Sequence, residues 1–447
     1  MNSPQQTTRA PITLDPSFNG TGIWRPEDLQ PLPYLILGVA VQSASKGGYV
    51  YFTGEARSGL KGLVYALGRL KPDGTLDREF AKATNGLAYD NFAPNSGSLG
   101  HSIKLLDDGK ILLVGAASGG SVPALGRFHA DGTLDTTFGP DRNGHVVLRR
   151  PGAPRESSAI ELAQEQEFTT CVEPLANGKI LIVSTYMVTH VEDTQAFIFL
   201  LNSDGTLDTA FNKTGYLQVI EPGNSPDSVK LRSGLIDEKG NIVVCAKLKT
   251  NGASTALFVA RYTAQGVPDT SFNGTGVRVF NSSDLVGATF FSLVKQTNNR
   301  LLGVGYTADR RGLLISLEPD GTDNIQFNSG KPLLIRLENN RTQFITAMMQ
   351  PDGKILLMGS VTSSEPPPSP RQTYAAVARL LSDGKEDTDF NNNSFFFKAP
   401  ISVYRRSLAL QEDGKIIIGG IDYKTQPEQV MVMRFHSGIG GDSGGKG

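Results

Sequence analysis

The sequence predicts an all-β fold, a single seven-bladed β-propeller of four-stranded antiparallel blades, on three observations. A ten-residue cassette recurs seven times along the 447 residues. A short turn rich in Gly, Asp and Asn, set before an apolar run, recurs seven times as well. Four strand-like runs fill each period, and one four-stranded sheet cannot bury both of its faces alone. Seven such units closed into a ring make one domain.

The clearest cassette is Ser203-Asp-Gly-Thr-Leu-Asp-Thr-Ala-Phe-Asn212. Asp204-Gly205 reads as a tight turn, because Asp bonds forward to its own backbone and Gly accepts a positive φ. Leu207 and Phe211 read as apolar pegs, and Asp208 between them as a cap on nearby N–H groups. The aromatic recurs as Phe18, Phe80, Phe138, Phe211, Phe272, Phe327 and Phe390, at spacings of 62, 58, 73, 61, 55 and 63. Six copies carry Asp three residues before it: Asp15, Asp77, Asp135, Asp208, Asp269 and Asp387. The remaining copy has Asp323, one place earlier.

The second turn appears as Asp108-Gly109, Asn177-Gly178, Lys239-Gly240, Asp352-Gly353 and Asp413-Gly414, with Gly47-Gly48 and Asn298-Asn299 in the same place. Asn-Gly or Asp-Gly between apolar runs signals a hairpin. Each unit therefore reads as strands A to D. In the fifth these are expected at Thr289–Gln296, Arg300–Thr307, Gly312–Glu318 and Lys331–Leu337.

The alternation of DGKILLVG (Asp108 to Gly115) with DGTLDTTF (Asp131 to Phe138) resembles the bacterial delta-60 repeat, a β-propeller family of largely unassigned function. The resemblance spans Leu14 to His436. It implies the fold and brings no family-wide active site.

The chain opens on a cassette without a preceding hairpin, and its final unit stops after three strands, near Arg406–Gln411, Lys415–Gly420 and Val430–His436. The segment Ile23–Arg25 is therefore expected to supply the fourth strand of the last blade, a 3+1 closure that removes an unpaired edge. The expected organisation is a tail over 1–13, the propeller over 14–437 and a Gly-rich tail over 438–447.

In such blades the A–B hairpins and the C–D cassettes emerge on one face, and both are monotonous. The B–C and D–A connections emerge on the other and vary. They include Gly119–Pro123, Tyr186–Gln195, Leu248–Ser254, Ala308–Arg311 and Thr362–Thr373, and Asp90–Gly100, Arg150–Phe168, Glu221–Ser228 and Asn281–Ala288. Glu156 to Gln166 has the composition of a short helix, and Thr362–Arg371, with four prolines, that of an extended loop. Binding residues concentrate on variable loops carried by a rigid frame. The candidate binding residues are Tyr186, His190, Arg310, Arg311, Arg371, Arg405 and Arg406. Arginine clusters suit carboxylate, phosphate or sulfate, although Glu156, Glu161, Glu165, Glu192 and Glu365 on the same face offset them.

Composition excludes more than it assigns. A net charge of −1 gives no pull toward nucleic acid. No run is long enough for a membrane helix. Met1 to Ala10 has no apolar segment, so no secretory signal is expected, and the expectation is a cytoplasmic protein or one exported by a signal-independent route. Cys171 and Cys245 read as buried free thiols. The five histidines show no metal-ligand spacing, and His129 and His436 occupy equivalent places after an Arg-Phe pair, which suits packing. The lone Trp24 reads as a packing residue of the closing strand. Two carboxylates per cassette are too few for calcium. No catalytic residue, cofactor or metal is expected. The sequence favours a monomeric, non-enzymatic binding or scaffolding ring that contacts a protein or surface polymer. A lectin-like or anion-binding propeller comes second and a metal-dependent hydrolase or lactonase third.

Overall fold

The computed structural model describes residues 11–436 apart from 28, 118–121, 153–169, 188–193, 221–228, 250–254, 364–371, 404–406, 424 and 426–427. Its strands form seven four-stranded antiparallel sheets. Blade one is β2 (Pro33–Val41), β3 (Val50–Ser58), β4 (Gly62–Leu70) and β5 (Leu87–Asp90). Blade two is β6 (Leu99–Leu105), β7 (Ile111–Ala117), β8 (Val122–Phe128) and β9 (His145–Val147). Blade three is β10 (Cys171–Pro174), β11 (Ile180–Met187), β12 (Thr194–Leu201) and β13 (Tyr216–Val219). Blade four is β14 (Val229–Ile236), β15 (Ile242–Lys249), β16 (Thr255–Tyr262) and β17 (Val277–Phe280). Blade five is β18 (Thr289–Lys295), β19 (Leu301–Tyr306), β20 (Gly312–Leu317) and β21 (Leu333–Ile335), close to the bounds expected from sequence. Blade six is β22 (Arg341–Met349), β23 (Ile355–Thr362), β24 (Thr373–Leu380) and β25 (Phe396–Ala399). Blade seven is β26 (Leu408–Leu410), β27 (Ile416–Asp422), β28 (Gln429–Phe435) and, from the other end of the chain, β1 (Ile23–Trp24).

The 3+1 closure is therefore present. Ile23 pairs with Met433 and Trp24 with Val432. Trp24 is buried against Phe52 with ring centroids 4.6 Å apart, so it packs the seam between the last blade and the first.

The period-2 alternation of each strand divides its side chains between two neighbours. In β15, Ile242, Val244, Ala246 and Leu248 join a cluster with Leu181, Val183 and Ile198 of blade three. Val243 and Cys245, between them, join Phe290, Leu301 and Leu313 of blade five. Core thus lies between blades rather than within them, and each fully buried aliphatic contributes about 1.5–3 kcal/mol. Cys171 and Cys245 are free and buried, as expected.

The inner strands carry a feature that hydrophobic pattern does not announce. Register shifts at Ile36/Gly38, Gly100/Ser102, Leu231/Ser233, Phe290/Ser292 and Phe344/Thr346 leave Leu37, His101, Arg232, Phe291 and Ile345 as bulged residues. A glycine on strand B faces the bulge in four of these blades. At Gly305 a Cβ would run into the Thr289 carbonyl, and at Gly359 into that of Gln343. Blade four has Ala246 there instead.

Candidate binding face

The cassette face is fastened by a repeated latch. In blade two the Arg127 Nε donates to Asp135 Oδ2 at 2.7 Å, and the guanidinium lies 4.5 Å over Phe138. Arg127 also donates to the Ser203 carbonyl in the next blade's cassette. Arg69–Asp77, Arg261–Asp269, Arg379–Asp387 and Arg434–Asp15 repeat the ion pair, each with Nε–Oδ2 at 2.7 Å. Phe138 wedges against Gly205 of the following turn, and the Gly139 amide donates to the Asp204 carbonyl at 2.7 Å. All seven cassette phenylalanines are buried. Leu207 is not a peg: it is 39% exposed, and only the Phe of the pair enters the seam. His129 and His436 each sit 3.9 Å from a cassette Asp, which fits their equivalent places in sequence.

The latch at the ring closure holds the Asp15 carboxylate ionised. Burial works against the Asp15 charge, but the Ser17 hydroxyl and amide, then Arg434 and Lys415, outweigh it and bring the pKa down to about 2.

The opposite face carries the connections of unequal length. Six of the seven A–B connections hold five residues, as between Leu105 and Ile111, whereas the B–C connections run from three residues between Ser58 and Gly62 to ten between Thr362 and Thr373. Arg310 and Arg311 lie in the β19–β20 connection. Arg311 is committed to Asp309, with Nε–Oδ2 at 2.8 Å, and Arg336 joins the same carboxylate at 3.0 Å. Burial raises and the Thr307 hydroxyl, Arg311 and Arg336 lower the Asp309 pKa, with a net fall. Arg310 has φ +64 and lies 4.7 Å over the Tyr306 ring. Tyr306 in turn stacks on Phe291 at 5.4 Å, and Arg232 lies 5.4 Å over Phe291. The stack carries a line of cation and aromatic groups from the loops down to the axial channel.

Tyr186 does not belong to this surface. Register pairs it with Gln195, so β11 runs past it; the ring is buried against Phe197 and Phe199, and its hydroxyl donates to the Leu148 carbonyl at 2.7 Å. His190, Arg371, Arg405 and Arg406 lie outside the described residues, as do the segments 156–166 and 364–371. The loop face does present apolar side chains that the sequence reading did not single out. Leu32, Leu60, Ile220, Val286 and Tyr423 are all large and exposed, and all lie in B–C or D–A connections.

The channel holds a cavity of about 300 Å³ lined by Lys104, Glu173, Arg232, Phe291, Lys295 and Thr346, among others. Lys104 donates to Glu173 at 2.9 Å. Among the described residues, no three His, Cys, Asp or Glu side chains come together to hold a metal ion. Nor is any helix among them long and apolar enough to cross a membrane.

Four stretches, 106–138, 175–211, 240–272 and 350–390, match the family model described as "Domain of unknown function (DUF5122) beta-propeller". Each runs from an A–B turn to a cassette phenylalanine, and together they cover about a third of the chain. The repeats match a β-propeller family of unknown function. No curated protein matches the chain in sequence. Similar solved structures include an α-L-arabinofuranosidase from Fusarium graminearum (10% identity, 83% of this chain and 98% of that one, TM-score 0.43). An ulvan lyase is similar over 75% and 79% (10% identity, TM-score 0.40). A protein of unknown function from Dyadobacter fermentans is similar over 93% and 99% (10% identity, TM-score 0.38).

Proposed function

We propose that this propeller is a non-enzymatic binding scaffold that contacts a protein or surface polymer through its B–C and D–A loops. The observation that carries the reading is the division of labour between faces. One face repeats a short turn and a latch. The other carries connections whose length changes from blade to blade, where uniform turns would cost less ordering entropy, and exposes Leu32, Leu60, Ile220, Val286 and Tyr423 there. Arg310, held over Tyr306, adds a fixed cation, and Arg371, Arg405 and Arg406 complete the proposed basic set, so an acidic or phosphorylated partner suits the face.

The test compares two variants in pull-downs from the source cell. One replaces Arg310, Arg311, Arg405 and Arg406 by Ser; the other alters the hairpin turns at Asp108 and Asp413. A partner lost with the first and kept with the second supports the reading, and the loss should be larger at low salt. A partner lost only with the second overturns it.

A further inference from the structure

The seam between blades three and four breaks the latch. The arginine that precedes each cassette Asp by eight residues is replaced there by Leu200, while Asp208 is kept. Blade five also lacks the arginine, but it has changed both partners: Asn324 donates to Ser316 at 3.0 Å, and Ser316 to Gln296 at 2.6 Å, a neutral set. Blade three has lost the cation alone. Lys179 does bond Asp208 at 2.7 Å, yet its counterparts Lys110, Lys354 and Lys415 reach their Asp in addition to an arginine.

The rest of the seam is altered in the same direction. Arg69, Arg127, Arg261 and Arg434 each donate to a carbonyl in the next blade's cassette: Ala130, Ser203, Pro319 and Pro72. The corresponding carbonyl here is that of Ala264, and the alkyl side chain of Leu200 has no donor to offer it. The backbone bond that ties Asn19, Ala81, Gly139, Asn273 and Asn328 to the following turn is missing after Phe211 among the described residues. A cleft of about 690 Å³ opens at this seam, lined by Leu200, Asp208, Phe211, Ala264, Gln265 and Lys179 among others.

We propose that this cleft binds a guanidinium group, presented on the arginine side chain of a peptide, in the place that the chain's own arginine occupies at five other seams. Asp208 supplies the carboxylate and Ala264 the carbonyl, the same two acceptors that receive Arg127 and Arg261 elsewhere. A planar guanidinium directs separate N–H groups at the two acceptors from a fixed, wide fork, whereas an ammonium is a compact point donor that matches them less well. The site is on the cassette face and does not depend on the loop-face reading.

The experiment titrates the full chain with acetyl-Gly-Arg-Gly-amide by calorimetry or NMR, with acetyl-Gly-Lys-Gly-amide as the contrast. The arginine peptide should bind at least tenfold more tightly than the lysine peptide. Leu200→Arg, which completes the internal latch, should weaken it at least tenfold and raise Tm. Should that variant fail to fold, Asp208→Asn carries the same test, since blade five already accommodates Asn at this position. No binding by the wild type at tens of millimolar, equal binding of the two peptides, or undiminished binding to the foldable variant would overturn the proposal.

Discussion

The guanidinium of Arg434 meets the carboxylate of Asp15 at 2.7 Å across 419 residues of sequence. Both groups are buried, and the Arg434 Nη1 continues to the Pro72 carbonyl of blade one at 2.7 Å. One side chain thus joins the cassette that completes blade seven to the blade beside it.

Removing either partner leaves the other charge buried. Arg434→Ala is expected to cost about 3–5 kcal/mol in urea unfolding. Deleting residues 1–25 should lower Tm further, since it also removes β1 and Phe18. Because Asp15 titrates near 2, below the range of a free carboxylate, its contribution is complete at neutral pH and is lost as pH falls through about 2. A truncated chain that melts with the full one would place closure elsewhere.

Phe211 is buried at the seam of blades three and four, in contact with Gly266. Phe211→Ala should cost about 3–5 kcal/mol. A loss below about 1 kcal/mol in denaturant unfolding would contradict its place in the core.

Arg127→Lys tests the latch while keeping the charge. Lysine cannot hold Asp135, the Ser203 carbonyl and the Phe138 face together, and losing a hydrogen bond to a charged group costs about 1.5–3 kcal/mol. The same exchange at the exposed Arg142 should be neutral in the same assay.

His145 predicts a pH dependence. It is buried beside Phe92, its Nε2 lies 3.0 Å from the Tyr65 hydroxyl, and burial lowers its pKa to about 4. The unfolded chain takes up a proton below about 6.5 while the folded ring does not, so stability falls between pH 6.5 and 4 by up to about 1.4 kcal/mol per unit. His145→Gln should flatten that slope in chemical denaturation at stepped pH; an unchanged slope would assign it to other groups.

The fold was legible because its determinants are local and repeated. A turn glycine and a fixed Phe mark every blade, and the cassette at Phe18 leads straight into the strand that pairs with β28. The latch was less legible, although its signal is plain once known: Arg69, Arg127, Arg261 and Arg379 each stand eight residues before a cassette Asp. Reading Asp208 as a cap found the Ala210 amide at 3.2 Å but not the cross-seam role of its counterparts. Tyr186 follows Ser184 and Thr185 near the end of β11, where the apolar run has already given way and sequence alone does not mark the last strand residue. The bulges at Arg232 and Phe291 break the period-2 alternation inside strands of only eight and seven residues, too short a run for the break to stand out in sequence. The stack from Arg310 to Arg232 joins two blades, and nothing in the spacing of those residues encodes it.

The cleft at the third seam has neighbours in common with the axial cavity: Glu173, Ile236 and Lys295 line both. These residues stand at the C-terminal ends of β10, β14 and β18, where the inner strands run into their A–B turns. A group held in the cleft would therefore lie against the same Glu173 and Lys295 side chains that line the axis.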